Sequence, residues 1–315
     1  MTEPCVSILI PCHNAEPWIA ATIESALAQT WPNTEIIVVD DGSTDDSAAI
    51  ASRSIDRGVR VVMQSNRGAS AARNAALAQA RGDFIQFLDA DDLLSPNKIA
   101  AQISSLANHP ANSVASCAWG RFAGDPAQAR FIDAAVFRDF SPMDFLVLAG
   151  TTGAMMHPAA WLVPRTVADR AGRWNESLSL NDDGEYFCRV LLASTRIAFC
   201  DEARTYYRSA QTGSLSQRRH ETARRSQFKS IELCEQHMLA AENSARTRRA
   251  VANQYQRFIY DFFPRSPELI RKAANRIARL GGSSQLKPAM GPRTAALARW
   301  LGWKNVWRLK QLAHR

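Results

Sequence analysis

Gly82-Asp-Phe-Ile-Gln-Phe-Leu-Asp-Ala-Asp-Asp92 decides how this chain of 315 residues is read. Asp83 to Leu88 is a short, mostly apolar run with the look of a buried strand. It runs directly into three carboxylates within four positions, Asp89, Asp91 and Asp92. Just upstream, Ala69 to Ala80 is alanine-rich and helical in pattern, and Gly82 closes it. Just downstream, Ser95-Pro96 caps and opens another helix.

The same unit recurs toward the start of the chain. Val6 to Ile10 is a β-branched run stopped by Pro11, and from Pro17 the residues Ile19, Ile23, Ala26 and Leu27 recur at helical spacing. Glu35 to Val39 is a second buried strand, ending in the turn Asp40-Asp41-Gly42-Ser43 with a helix after it. Val59 to Gln64 is a third strand. Strand alternating with helix predicts an α/β fold, a mostly parallel sheet covered by helices on both faces. Such sheets bind ligands beyond the carboxyl ends of their strands. Here those ends carry Pro11-Cys-His-Asn14, Asp40-Asp41 and Asp89/Asp91/Asp92, so three of them present polar or acidic groups to one rim. Neither GxGxxG nor GxxxxGK[ST] occurs in this region, so a dinucleotide site or P-loop is not supported.

Composition narrows the class. Apolar residues make up 46% and charged residues 22%, which is ordinary for a globular chain and excludes a disordered or collagenous one. No apolar stretch is long enough for a spanning helix, and no export signal is read at the start. Six cysteines show no CxxC pair, so reduced thiols in a cytosolic compartment are expected. The net charge of +8 is unevenly spread. Residues 1–216 hold 17 Lys/Arg against 24 Asp/Glu, and residues 217–315 hold 21 against 6. That shift places a functional boundary near Ser216.

Clustered carboxylates raise one another's pKa unless a cation, basic partners or water compensates. Magnesium and manganese prefer oxygen ligands and often take one or two carboxylates plus substrate phosphates. A solvated acidic turn ahead of a helix is the alternative.

In order along the chain, four segments resemble those of family-2 glycosyltransferases with the nucleotide-diphospho-sugar transferase (GT-A) fold. They are Val6-Ser-Ile-Leu-Ile-Pro-Cys-His-Asn14, Ile36-Ile-Val-Val-Asp-Asp-Gly-Ser-Thr-Asp45, Asn66-Arg-Gly-Ala-Ser-Ala-Ala-Arg-Asn74 and Gly82 to Asp92. Weaker matches follow at Gly172 to Glu176, Asp182-Asp183 with Arg189, and Ser214-Leu-Ser216, so the resemblance covers about residues 5–216. It implies that Pro11, His13 and Asn14 line a nucleoside pocket with Asp41 reading the base, while Asp40 supports the turn. Gly68 and Arg73 would lie near the nucleotide. Asp89, followed by Ala90, would face the ribose or metal, and Asp91 would hold a divalent cation, Mg2+ or Mn2+. The family often has Tyr where this chain has His13.

The resemblance also implies a base. In the family an acidic pair followed six residues on by Arg supplies it, and Arg189 lies six after Asp183. Asp183 would take the proton from the acceptor hydroxyl, with Asp182 supporting; plain helix capping is the alternative. Arg189 is expected to make a structural or rim contact. His157 and Trp161 read as an ordinary loop residue and a core residue, with acceptor lining as the alternative. Residues 113–123 and 196–200 have strand character, Pro158 to Ala171 is partly helical, and a helix starts near Asn181. Asp144 to Leu148 is a short apolar run before the loop Gly150-Thr-Thr-Gly153. Tyr206-Tyr-Arg208 and Ser214-Leu-Ser216 fall where the family has a mobile loop, and there Arg208 would reach a diphosphate or lie in solvent.

Residues 217–315 read as a basic, helical C-terminal region. Trp300, Trp303 and Trp307 lie at i, i+3 and i+7 among Arg299, Lys304, Arg308 and Lys310. This pattern suits an anionic membrane surface, or a helix packing its Trp stripe on the catalytic domain. Nucleic acid is not expected, since no binding module is visible. The expected organisation is a nucleotide-sugar-binding half (1–110), an acceptor-binding half (111–216) and the helical extension (217–315). The expected function is inverting, metal-dependent transfer of a sugar from a nucleotide-diphosphate donor, UDP-linked, to a polysaccharide or glycolipid acceptor hydroxyl. Its place would be cytoplasmic, peripheral on the cytosolic membrane face. The alternatives are a non-catalytic nucleotide-sugar or membrane-binding protein on the same fold, and a nucleotidyltransferase.

Overall fold

The structure, a computed structural model, describes residues 3–209, 220–284 and 292–307. In chain order its first elements are β1 (Val6–Cys12), α1 (Ile19–Leu27), β2 (Thr34–Asp41), α2 (Ser47–Ser52), β3 (Val59–Gln64), α3 (Ala69–Gln79), β4 (Phe84–Phe87), β5 (Leu93–Leu94) and α4 (Lys98–Ala107). Then follow β6 (Val114–Phe122), β7 (Arg130–Phe131), α5 (Pro142–Thr152), β8 (Val163–Pro164), α6 (Arg165–Ala171), α7 (Asp182–Ala193) and β9 (Ile197–Arg208).

Two sheets organise these elements. The first has the order β3-β2-β1-β4-β8. Its four leading strands are parallel and β8 adds an antiparallel edge. The second has the order β5-β9-β6-β7, with β6 and β9 parallel over nearly their whole length. The continuous apolar runs of β1 and β2 are explained by burial on both faces. Leu9, Ile37, Val39, Ile85 and Phe87 pack toward α3 and α7. Ile8, Ile10, Ile36 and Val38 pack on the other face with Ile19 and Ile23 of α1.

Three local expectations shift. Asp40 and Asp41 are the last residues of β2, paired to Met63 and Gln64 of β3, rather than turn residues. The cap ahead of α4 is Asn97, two residues beyond Ser95. The run 144–148 lies inside α5, whose start is capped by Ser141 accepting from the Asp144 N–H at 3.2 Å, so the loop begins only at Gly153.

The C-terminal region comprises α8 (Glu221–Ala241), α9 (Ala245–Phe262), α10 (Pro267–Arg279) and α11 (Pro292–Leu301). Helices α8 to α10 share a core of Phe228, Ile231, Tyr255, Phe258 and Leu269, into which Cys188 of α7 also packs. Among the described residues no helix is long and apolar enough to cross a membrane. Ser214-Leu-Ser216, Arg308 and Lys310 lie outside the described residues.

Candidate active site

The rim is assembled by one face of α3. Ser70, Arg73 and Asn74 stand at i, i+3 and i+4, so they share a face. The Ser70 hydroxyl donates to Asp182 at 2.8 Å. Asn74 donates to the Trp174 carbonyl and to Glu176, both at 2.9 Å, and accepts from the Trp174 N–H at 2.8 Å. Arg73, only 6% exposed, donates to Asp89 at 2.8 Å and to Asp182 at 2.9 Å, with its guanidinium 4.4 Å from the centre of the Trp174 ring. Burial works against its charge, but Asp89 and Asp182 outweigh burial and hold the guanidinium above its ordinary pKa.

These contacts give the neighbouring carboxylates different partners. Asp182 is neutralised by Arg73. Its neighbour Asp183 is half-buried and accepts from the Gly184 N–H at 2.9 Å. Loss of water, and then the charge of Asp182, raise Asp183 to about 6, with Arg73 opposing. Arg189 does not reach this pair. It grips Glu185 with two donors at 2.7 and 2.8 Å and donates to the carbonyls of Ala171 and Arg173, fastening α7 to the chain before Trp174.

The three carboxylates after β4 also have separate environments. Asp89 is turned to Arg73. Asp92 is fully buried; its Oδ1 accepts from the Arg208 N–H at 2.8 Å and its Oδ2 lies 3.1 Å from His157 Nδ1. Burial and then Asp89 push Asp92 well above the usual carboxylate range. His157 Nε2 lies 2.8 Å from the Thr205 hydroxyl, and burial lowers its imidazole to about 4, so it is neutral. Asp91 is half-buried at the rim between them, and the Arg208 side chain donates to its carbonyl at 2.9 Å. The Thr22 hydroxyl fixes the turn from below, 2.9 Å from the Ala90 carbonyl and 3.0 Å from that of Asp92, and Ala90 is buried over it.

The other end of the rim is built by β1, β2 and the loop after β3. Asp40 is buried and holds the turn, accepting from the Ser43 N–H at 3.1 Å and its hydroxyl at 2.5 Å. Asp41 is buried too. It accepts from the N–H groups of Arg67 and Gly68 at 2.8 and 2.7 Å and from Gln64 at 2.6 Å, so it shapes the 64–68 loop. His13 Nδ1 lies 2.9 Å from the Asp41 carbonyl, which assigns its proton to Nδ1 and leaves Nε2 to accept from Asn66 at 3.1 Å. Pro11 is half-buried, and the His13 ring is exposed at the rim. Asn14 has a φ of 48° and accepts from the Thr44 N–H at 2.8 Å.

Ser70 and Asn74 take roles at the rim that the sequence does not single out, and His157, expected as an ordinary loop residue, is buried against Asp92 and Thr205. Ser70 and Asn74 carry a legible pattern, polar residues at helical spacing in an alanine helix. His157 carries none, because its partners Asp92 and Thr205 are 65 and 48 residues away. Trp161 is core, 1% exposed, as expected.

Among the described residues no three His, Cys, Asp or Glu side chains form a ready-made metal cage. Hard carboxylate oxygens at Asp91 fit a cation that completes its shell with phosphate oxygens.

A parallel sheet whose carboxyl-end rim joins a polar pocket to separately tuned carboxylates is the architecture of the nucleotide-diphospho-sugar transferases, the GT-A fold. The chain belongs to glycosyl transferase family 2, whose pattern it matches over residues 7–170. It is 30% identical over 303 residues to the succinoglycan biosynthesis protein ExoU of Rhizobium meliloti, covering 91% of this chain and 84% of that protein. It is 31% identical over 215 residues to WfaP of Escherichia coli, named as a UDP-Glc:alpha-D-GlcNAc-diphosphoundecaprenol beta-1,3-glucosyltransferase, covering 67% of this chain and 79% of that one. Several other relatives match over less than half their length: an uncharacterized glycosyltransferase of Haemophilus influenzae is 42% identical over 113 residues, 35% of this chain and 45% of its own. Among solved structures, TarS residues 1–349 of S. aureus with UDP-GlcNAc aligns with a TM-score of 0.73 at 19% identity, covering 98% of this chain and 92% of that one. The mannosyltransferase PcManGT of Pyrobaculum calidifontis, with GDP-Man and Mn2+, aligns with a TM-score of 0.55 at 17% identity, covering 97% and 84%. At these identities the structural likeness shows the fold.

Proposed function

We propose that the protein transfers a sugar from a UDP-linked donor to a hydroxyl of a glycan or glycolipid acceptor, with inversion at the anomeric carbon. The observation that carries this reading is the sorting of the carboxylates by Arg73. It binds Asp89 and Asp182 and leaves Asp183, raised by loss of water, as the acid placed to act as base. Asp183, near 6, is ionised at neutral pH yet basic enough to take a proton from the acceptor hydroxyl as that oxygen attacks. The exposed His13 ring offers a stacking surface for a base, and the loop that Asp41 shapes, with Gly68 at its end, borders the nucleotide. Asp91, beside Asp89, would hold a divalent cation, which when bound stabilises the charge leaving with the diphosphate. Direct displacement needs no covalent enzyme intermediate.

The acceptor reading is supported by relatives whose names place them in polysaccharide and glycolipid synthesis. Peripheral contact with the cytosolic membrane face fits α11, where Trp300 is 91% exposed with Leu297 and Leu301 beside it. The remaining tryptophans turn inward. Trp303 stacks edge-on to Tyr260 at 5.0 Å, and Trp307 donates to the Tyr260 carbonyl at 3.2 Å.

A thermal-shift panel of nucleotide diphosphates and nucleotide sugars, with and without manganese, tests this reading. Ligand that binds only the native state raises the midpoint by mass action. A manganese-dependent shift with uridine nucleotides, lost in Asp91→Asn, is expected. A nucleotide-free profile identical to that with every nucleotide would contradict it.

A further inference from the structure

Beside the rim, the second sheet carries a cationic aromatic face that the reaction described above does not use. On β6 and β9, Trp119 pairs with Thr205 and Arg121 with Tyr207, so these four side chains share one face. The face joins the rim through His157, whose ring centre lies 5.7 Å from that of Trp119 and 5.4 Å from that of Tyr207. His157 also feels the charges of Asp89, Asp91 and Asp183. One pair further along the strands, the Arg208 N–H is bonded to Asp92.

Arg121 is exposed, and its guanidinium carbon sits 5.1 Å from the ring centres of both Trp119 and Tyr207. Two aromatic rings thus fix its plane while its N–H edge remains available. Directly across the β6–β7 pairing stands a second exposed arginine, Arg130. Like charges directly opposite on a sheet are destabilising. No carboxylate offsets them among the described residues. The nearest acid in the connecting loop, Asp125, accepts from the Ala127 N–H at 2.9 Å instead. A fixed arginine facing a second arginine is matched by a group with several anionic oxygens, and arginine forks bind phosphate through paired donors.

We propose that Arg121 and Arg130 hold a phosphate of the acceptor, the phosphate or diphosphate that joins its glycan to a carrier. This inference rests on the glycosyl-transfer reading. An acceptor reaching Asp183 must keep its own phosphate off a rim lined by Asp89, Asp91 and Asp183, and the arginine face is the cationic surface adjoining that rim. The half-buried Tyr207 ring beneath it gives the neighbouring sugar an apolar wall, with the buried Trp119 behind.

Binding of propyl diphosphate is measured by calorimetry with saturating UDP and manganese, so that the donor pocket is filled. Wild type is expected to bind, and Arg121→Gln and Arg130→Gln each to weaken binding about tenfold or more, with UDP affinity within twofold of wild type. Arg121→Lys keeps the charge but loses the fork, and is expected to fall between. Thermal midpoints at or above wild type are expected for the Gln variants, since like-charge repulsion is relieved. Propyl diphosphate affinity unchanged in both Gln variants would overturn the proposal. So would its displacement from wild type by UDP, because the anion would then belong to the donor pocket. Failure of wild type to bind UDP would count against the donor reading instead, and the same titration without UDP would still decide the arginine site.

Discussion

Arg73 and Asp182 meet at 2.9 Å across 109 residues of sequence, and this contact joins the first helical layer to the start of α7. Removing the guanidinium leaves Asp89, Asp182 and Asp183 facing one another without a cation. Arg73→Met is therefore expected to lower stability by about 3 kcal/mol, the lower end for a broken buried pair because Asp89 keeps 27% of its side chain exposed. Chemical denaturation read by tryptophan fluorescence checks the value. The same variant is expected to raise the pKa of Asp183, since Arg73 lowers it in the native protein.

The Asp183 environment gives a pH dependence whose sign can be worked out. As a base it must be ionised, so kcat/KM is expected to fall as pH drops through about 6. For stability the direction reverses. A carboxyl raised from 3.8 to about 6 by folding favours the native state below its unfolded value and loses that contribution as pH rises through about 6. Asp183→Asn is expected to flatten this part of the stability profile, and melting curves between pH 4 and 7 read it directly.

Gly42 is required by two independent constraints. Its φ is +68°, and a Cβ there would lie 2.8 Å from the Asn66 backbone nitrogen. Gly42→Ala is expected to cost about 2 kcal/mol from the left-handed backbone alone. It is also expected to displace Asn66 from His13, weakening nucleotide binding more than the stability loss accounts for. Nucleotide titration of the folded variant at low temperature separates the two effects.

Two tryptophans of the C-terminal region allow the proposed membrane contact to be tested apart from packing. Trp300→Ser removes an exposed ring and is expected to leave the thermal midpoint unchanged while weakening sedimentation with phosphatidylglycerol vesicles several-fold. Trp303→Ala removes a ring packed on Tyr260 and Phe263 and is expected to lower the midpoint by several degrees. Equal vesicle binding by wild type and Trp300→Ser would assign the basic surface another role.

The sheet was legible because its evidence is local. Val6–Ile10 and Glu35–Val39 are apolar runs buried between helices on both faces, Val59–Gln64 is the half-buried edge strand beside them, and their ends announce the rim. The second sheet was less so. β9 runs to Arg208 rather than stopping near Cys200, because Arg204 to Arg208 are polar or aromatic residues whose strand state is fixed by pairing with β6. In the rim, the identity of the carboxylates was readable and their division of labour was not. Which of Asp182 and Asp183 is neutralised depends on Arg73, and the fate of Asp92 depends on its burial and on the charge of Asp89, opposed by Arg208. Both answers come from chain segments brought together only by folding.

The most direct test compares Asp183→Asn with wild type in two assays, manganese-dependent UDP binding and UDP release from a UDP-sugar in the presence of acceptor. Unchanged UDP binding is expected, with turnover reduced about 10²- to 10⁴-fold, the usual contribution of a general base. Turnover within a few-fold of wild type would contradict it and remove Asp183 from the chemistry.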